Sequence, residues 1–153
     1  QMSMSELDKL SMKFDIVYSS LAFHYMPDFQ KLANDIYNLL NTGGYLLFSQ
    51  EHPIVTATFD GKQHYNKDEN GNYASFTFSN YNQPGERDTF WYVDGVKKYH
   101  RTFSNIISAL CRVGFVIDTV CEPLPIENAT DFIPNILEKE LIKPTFLIVK
   151  ASK

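Results

Sequence analysis

A glycine-rich phosphate loop is missing from this chain. Its seven glycines in 153 residues include no G-x-G-x-x-G and no shortened equivalent, so the cradle that holds a dinucleotide pyrophosphate is not encoded here. Cysteine is rarer still. Cys111 and Cys121 are the only two, and their spacing fits no metal-ligand pattern, which leaves reduced thiols in a cytoplasmic setting and no metal as the expectation. No apolar run approaches the ~20 residues of a membrane-spanning helix, and QMSMSELDKL does not read as a secretory leader, so no membrane partner is expected. A basic excess is also lacking: 14 Lys and Arg face 18 Asp and Glu, for a net charge of −4. That balance argues against nucleic acid as the main partner.

What the chain does have is a 44% apolar composition, unusually rich in aromatics, with nine Tyr and twelve Phe. The stretch FDIVYSSLAF, from Phe14 to Phe23, has the near-continuous apolar run of a strand buried on both faces. It breaks into HYMPD, where side chains can donate, accept, titrate or stack. The next segment, PDFQKLANDIYNLLNTGG, predicts a helix. Asp28 is a good N-cap, Phe29, Leu32, Ala33, Ile36, Leu39 and Leu40 share a stripe, and the glycines suit a left-handed helix end. YLLFS (45–49) is a second apolar strand. Strand, helix, turn and strand at this spacing make a βαβ unit with parallel, adjacent strands.

From Glu51 to His100 polar, Asn-rich segments alternate with aromatic pieces such as YASFTFS and FWYV. Asp94-Gly95 predicts a two-residue hairpin turn between FWYV and VKKYH. Regular patterning resumes with RTFSNIISALCRVGF, a helix capped by Thr102 or Ser104 and closed by Gly114. FVIDTVCEP is a strand stopped by Pro123, TDFIPNILEKELIK predicts a loop with a short helix, and PTFLIVKAS is the last strand. Only a weak helical stretch separates these two strands, which favours an antiparallel final strand over a crossover.

Taken in order, these segments resemble the second half of a class I S-adenosylmethionine-dependent methyltransferase. In that family a strand opening with an acid after an aromatic, here Phe14-Asp15, runs into a segment like SSLAFHY. A helix then closes on a Gly-Gly turn before the next strand. YHRTFSNIISALCRVGF, EPLP and PTFLIVKAS fit the remainder, so the resemblance covers nearly the whole chain apart from the insertion. It implies an α/β fold: a partial Rossmann-like sheet, mostly parallel with an antiparallel last strand, plus an antiparallel β-hairpin insertion. The organisation expected is one domain over 1–153, with 54–100 as an insertion or lid. The family's glycine-rich loop and its ribose-gripping acid are absent, and QMSMSEL resembles the segment that follows the family's third strand. A fragment holding the C-terminal part of a catalytic domain is therefore expected. In such a fragment one edge of strand 14–20 lacks its partner, and an unpaired apolar edge predicts a homodimer through 14–20.

The resemblance implies S-adenosylmethionine as cofactor and a small molecule as methyl acceptor. Ligands of open α/β sheets bind beyond the carboxyl ends of the strands, where SSLAFHY sits. By resemblance Ser3 and Met4 lie beside the adenine, and Ser19, Ser20 and Leu21 near the methionine part. Should the acceptor be a hydroxyl or thiol, a base adds roughly 10²–10⁴-fold. His24, His52 and His100 are the candidate catalytic residues, whereas His64 belongs to a solvated loop. Substrate contacts are assigned to Tyr25, Trp91, Tyr99 and Arg101. The insertion's aromatics (Tyr65, Tyr73, Phe76, Phe78, Phe90, Trp91, Tyr92 and Tyr99) suit either a lid over a partly apolar ligand or a hairpin packed on the sheet. Two other readings stand beside this one. The first is a non-catalytic domain serving as an interaction module. The second is half of a nicotinamide-dependent Rossmann enzyme, against which the antiparallel last strand and the lack of a Tyr-x-x-x-Lys pair both count.

Overall fold

The computed structural model describes residues 2–60, 62, 64–91 and 93–153; Tyr92 lies outside them, as does the side chain of Trp91. β1 (Phe14–Ser20), α1 (Phe29–Leu39) and β2 (Leu40–Glu51) form the βαβ unit, with β1 and β2 parallel. Asp28 starts the helix by accepting from the Lys31 N–H at 2.8 Å. Phe29, Leu32, Ala33, Ile36 and Leu39 are buried along the apolar stripe. The end of α1 differs from expectation. Leu40 is already extended (φ −81°, ψ 142°) and begins β2, so the helix closes without a glycine, and the left-handed Gly43 (φ 81°) lies within β2 where the β1–β2 register shifts. Gly44 is required for another reason: a Cβ there would lie 2.8 Å from the Asp15 carbonyl oxygen.

The chain continues through α2 (Pro53–Thr56), β3 (His64–Lys67), β4 (Tyr73–Thr77), β5 (Gly85–Trp91), β6 (Val93–His100), α3 (Phe103–Val113), β7 (Val116–Cys121), α4 (Ile136–Ile142) and β8 (Phe146–Ser152). Thr102, not Ser104, caps α3. Its hydroxyl accepts from the Asn105 N–H at 3.1 Å, and the Asn105 side chain accepts from the Thr102 N–H at 3.3 Å, a reciprocal capping box. Gly114 closes α3 at φ 113° and abuts the Tyr37 ring of α1.

Among the described residues the main sheet has four strands in the order β1-β2-β8-β7. β8 lies between β2 and β7 and is antiparallel to both. The sheet is therefore mixed, and its neighbouring pairs are antiparallel more often than parallel, because the reversed strand is inserted rather than added at an edge. α1 and α3 cover one face. There Leu46, Phe48, Leu147, Val149 and Ala151 pack with Leu32, Ile36, Ile106 and Leu110 into a continuous core. The other face is thinly covered. On β1, at the sheet edge, Val17 packs against the core while Ile16 and Tyr18 are 51% and 67% exposed. The strand expected to be buried on both faces is half-buried on one and exposed on the other.

The insertion is two hairpins, β3–β4 and β5–β6, rather than one. The β5–β6 reversal also falls earlier than Asp94-Gly95. Trp91 pairs with Val93 and Asp88 with Lys97, leaving Gly95 (φ 77°) inside β6. Cross-strand charge accounts for the register, because it sets Lys97 beside Asp88 at 3.1 Å and Glu86 at 2.9 Å. No helix among the described residues is long and apolar enough to cross a membrane, and no group of three His, Cys, Asp or Glu among them is placed to hold a metal.

Candidate active site

β1 ends in a turn that its sequence makes unusual. Leu21 adopts φ 50°, a left-handed conformation costly for a residue with a branched side chain. The turn is held by the Leu21 N–H donating to the Ser49 carbonyl of β2 at 3.0 Å. A single 3-10 turn, Phe23–Tyr25, follows. Phe23 anchors it in the core, its ring 4.8 Å from that of Phe48. That anchor leaves Leu21, His24 and Tyr25 lining a cavity of about 820 Å³ at the carboxyl end of β1 and β2.

His24 is only 3% exposed. Its Nδ1 accepts from the Glu51 N–H at 3.4 Å, which puts the proton of the neutral ring on Nε2. Burial pushes its pKa down to about 4, against the pull of Glu51 and with help from Lys98 and Arg101. At neutral pH it is a hydrogen-bond donor, not a group ready to take a proton. Glu51 also faces the cavity, and its carboxylate holds Lys98 of β6 at 2.6 Å. The pair fastens the insertion to the end of β2.

The other walls come from outside the sheet. β3–β4 contributes Tyr65, Lys67 and Tyr73, while α4 and the residue after its end contribute Ile136, Lys139, Glu140 and Lys143. The first three lie at i, i+3 and i+4 on one face of α4, and Lys143 follows in extended conformation just past its end. Glu140 accepts from the Thr145 N–H at 2.9 Å and from its hydroxyl. Lys143 donates to that hydroxyl at 2.9 Å and lies over the rings of Tyr65 and Phe76. Burial lowers the Lys143 pKa. Burial first, then Glu140, raises that of Tyr65 to about 12, so Tyr65 keeps its proton.

The other candidate bases are elsewhere. His52 caps α2: its Nδ1 accepts from the Ile54 N–H at 3.2 Å and its Nε2 meets Glu122 at 3.0 Å. His100 meets the Thr56 hydroxyl and the Tyr81 carbonyl, both at 2.8 Å, and is 1% exposed. Both nitrogens of each ring have protein partners, and neither ring lines this cavity. Tyr99 and Arg101 also bind other parts of the chain. The Tyr99 hydroxyl reaches Glu86 across the hairpin at 3.4 Å. Arg101 donates to the carbonyls of Met26, Pro27 and Tyr99, clamping the turn ahead of α1. Neither lines the cavity. Trp91 sits at the end of β5, with its side chain outside the described residues. Ser3 caps a 3-10 turn (Met4–Lys9), Met4 packs on the core, and Ser19 and Ser20 close β1.

This geometry has known counterparts. A model of the methyltransferase domain family matches residues 1–48. A crystal structure of an S-adenosylmethionine dependent methyltransferase from Mesorhizobium loti is 37% identical; it matches with a TM-score of 0.82 over 96% of this chain and 67% of its own. A Listeria monocytogenes structure is 29% identical, with a TM-score of 0.78 over 96% and 66%. The chain belongs to the class I S-adenosylmethionine-dependent methyltransferases. An uncharacterized protein of Haemophilus influenzae is 32% identical over 140 residues, which are 92% of this chain and 54% of that protein. The chain thus spans about half the length of this curated relative.

Proposed function

We propose that this chain forms the acceptor side, and the methionine end of the cofactor floor, of a methyltransferase that modifies a small molecule. The observation that carries the reading is one cavity shared by the end of β1 and the insertion. Leu21, His24 and Tyr25 meet Tyr65 and Tyr73 there, in a volume of about 820 Å³ that suits a small ligand. The residues present fit the amino-acid end of S-adenosylmethionine, since the left-handed Leu21 turns the end of β1 into that cavity. When bound, that cofactor supplies an electrophilic methyl group on a sulfonium, so alignment is the main demand on the protein. His24 holds an acceptor atom through its Nε2–H. Tyr65 and Tyr73 cover the cavity and exclude water.

The glycine-rich loop and ribose-gripping acid are assigned in this reading to chain beyond these 153 residues, which the greater length of the relatives supports. There the open edge of β1 receives a further strand; in the 153-residue chain by itself it pairs with a second copy. A cytoplasmic setting goes with the reading, supported by the free, exposed thiols of Cys111 and Cys121. The exposed Ile16 and Tyr18 favour a second reading, a non-catalytic interaction module. Calorimetric titration with S-adenosylhomocysteine, on this chain and on the longest product of its gene, separates the two. Binding to the longer product is expected. Binding to neither removes the cofactor and leaves the interaction module.

A further inference from the structure

The cavity is charged in an uneven way. Both of its carboxylates have partners: Glu51 holds Lys98 at 2.6 Å, and Glu140 accepts two hydrogen bonds from Thr145. Its three ammonium groups, on Lys67, Lys139 and Lys143, make no ion pair among the described residues. They rest on ring faces instead. Lys67 and Lys139 each lie 4.7 Å from the centroid of the same Tyr73 ring. Lys143 lies 5.4 Å from that of Tyr65 and 5.2 Å from that of Phe76.

A ring face supplies roughly 0.5–2 kcal/mol to a cation, which does not replace the water an ammonium loses on burial. Lys143 is only 4% exposed. An ammonium has three N–H donors, and among the described residues Thr145 takes just one of them, at 2.9 Å. Lysines that merely cover apolar surface keep their heads in water, and this one does not. An anion entering the cavity would take up the donors that Lys143 leaves without a partner among the described residues.

We propose that the methyl acceptor is an anionic small molecule, a carboxylate or phosphate on a partly apolar body, gripped by Lys67, Lys139 and Lys143 against Tyr65 and Tyr73. This rests on the cavity being the acceptor site. The lysines bind the acidic group as point charges, and the tyrosines flank the apolar part. His24 lines the same cavity, at the strand end.

The test uses benzoate, benzamide and phenyl phosphate, titrated by NMR into the 153-residue chain and its Lys67→Gln/Lys139→Gln variant. Lys67 is exposed and Lys139 partly exposed, so the variant keeps the fold, which its NMR spectrum checks. Benzoate or phenyl phosphate is expected to bind at least tenfold more tightly than benzamide, and the variant to lose that preference. The tighter of the two anions identifies the acidic group. Equal binding of benzamide, or no binding of either anion, overturns the proposal. S-adenosylhomocysteine binding to the longer gene product is measured separately. If it persists while anion preference is absent, only the anionic acceptor fails. Anion preference without cofactor binding instead overturns the methyltransferase reading.

Discussion

Three histidines are buried in this small domain, and each has its pKa lowered chiefly by loss of water. In the unfolded chain His24 takes up its proton near 6.5, but in the folded chain only near about 4. Between those values the unfolded state binds more protons, so this contribution is complete above 6.5 and is lost as pH falls toward 4. His24 alone should cost about 2 kcal/mol between pH 7 and pH 5, and His52 and His100 act in the same direction. Urea denaturation followed by circular dichroism should give a lower midpoint at pH 5 than at pH 7. His24→Gln should flatten part of that slope; a profile with no change between the two pH values contradicts the burial argument. The same residues show what a sequence reveals about a site. His24 and Tyr25 were legible because they follow the end of an apolar strand, where ligands of such sheets bind. That His52 and His100 have both nitrogens taken was not, because Glu122, Thr56 and Tyr81 reach them only through the folded insertion and loops.

α1 and α3 were legible because their signals are local: Asp28 and Thr102 as caps, and stripes with a helical period. The α3 cap gives a direct test. Thr102→Ala removes an acceptor for the Asn105 N–H at a site that is 7% exposed, and should cost about 1 kcal/mol in urea or thermal denaturation. Thr102→Ser should recover most of that loss; equal losses for both variants would show that packing of the methyl, not the cap, matters. α4 was hard to read because it is seven residues long and its stripe at 136, 139 and 140 is mostly charged, unlike a core-facing helix. The spacing was nonetheless a signal, since ionisable groups gathered on one face mark a wall more often than a core. The β5–β6 turn was misplaced by its Asp-Gly pair, whose local preference lost to cross-strand charge between Lys97, Asp88 and Glu86.

In the whole molecule the imbalance is in the coverage of the sheet. Helices protect one face and leave Ile16 and Tyr18 exposed on an edge strand, an arrangement prone to pairing with another chain. Sedimentation equilibrium of the 153-residue chain should show concentration-dependent dimerisation. Ile16→Lys/Tyr18→Lys should weaken it. A chain monomeric at every concentration removes that interface. The apolar run FDIVYSS did not disclose this exposure, because the same residues would suit a strand with neighbours on both sides. The cavity's division of labour has a further consequence. Its floor is the end of β1, whereas its lysines come from β3, α4 and the residue after α4, segments joined to the sheet by loops. Mutations in those segments can retune which molecules are accepted while the donor-facing strand end stays fixed, so descendants of one ancestral scaffold can diverge in diet without relearning the reaction.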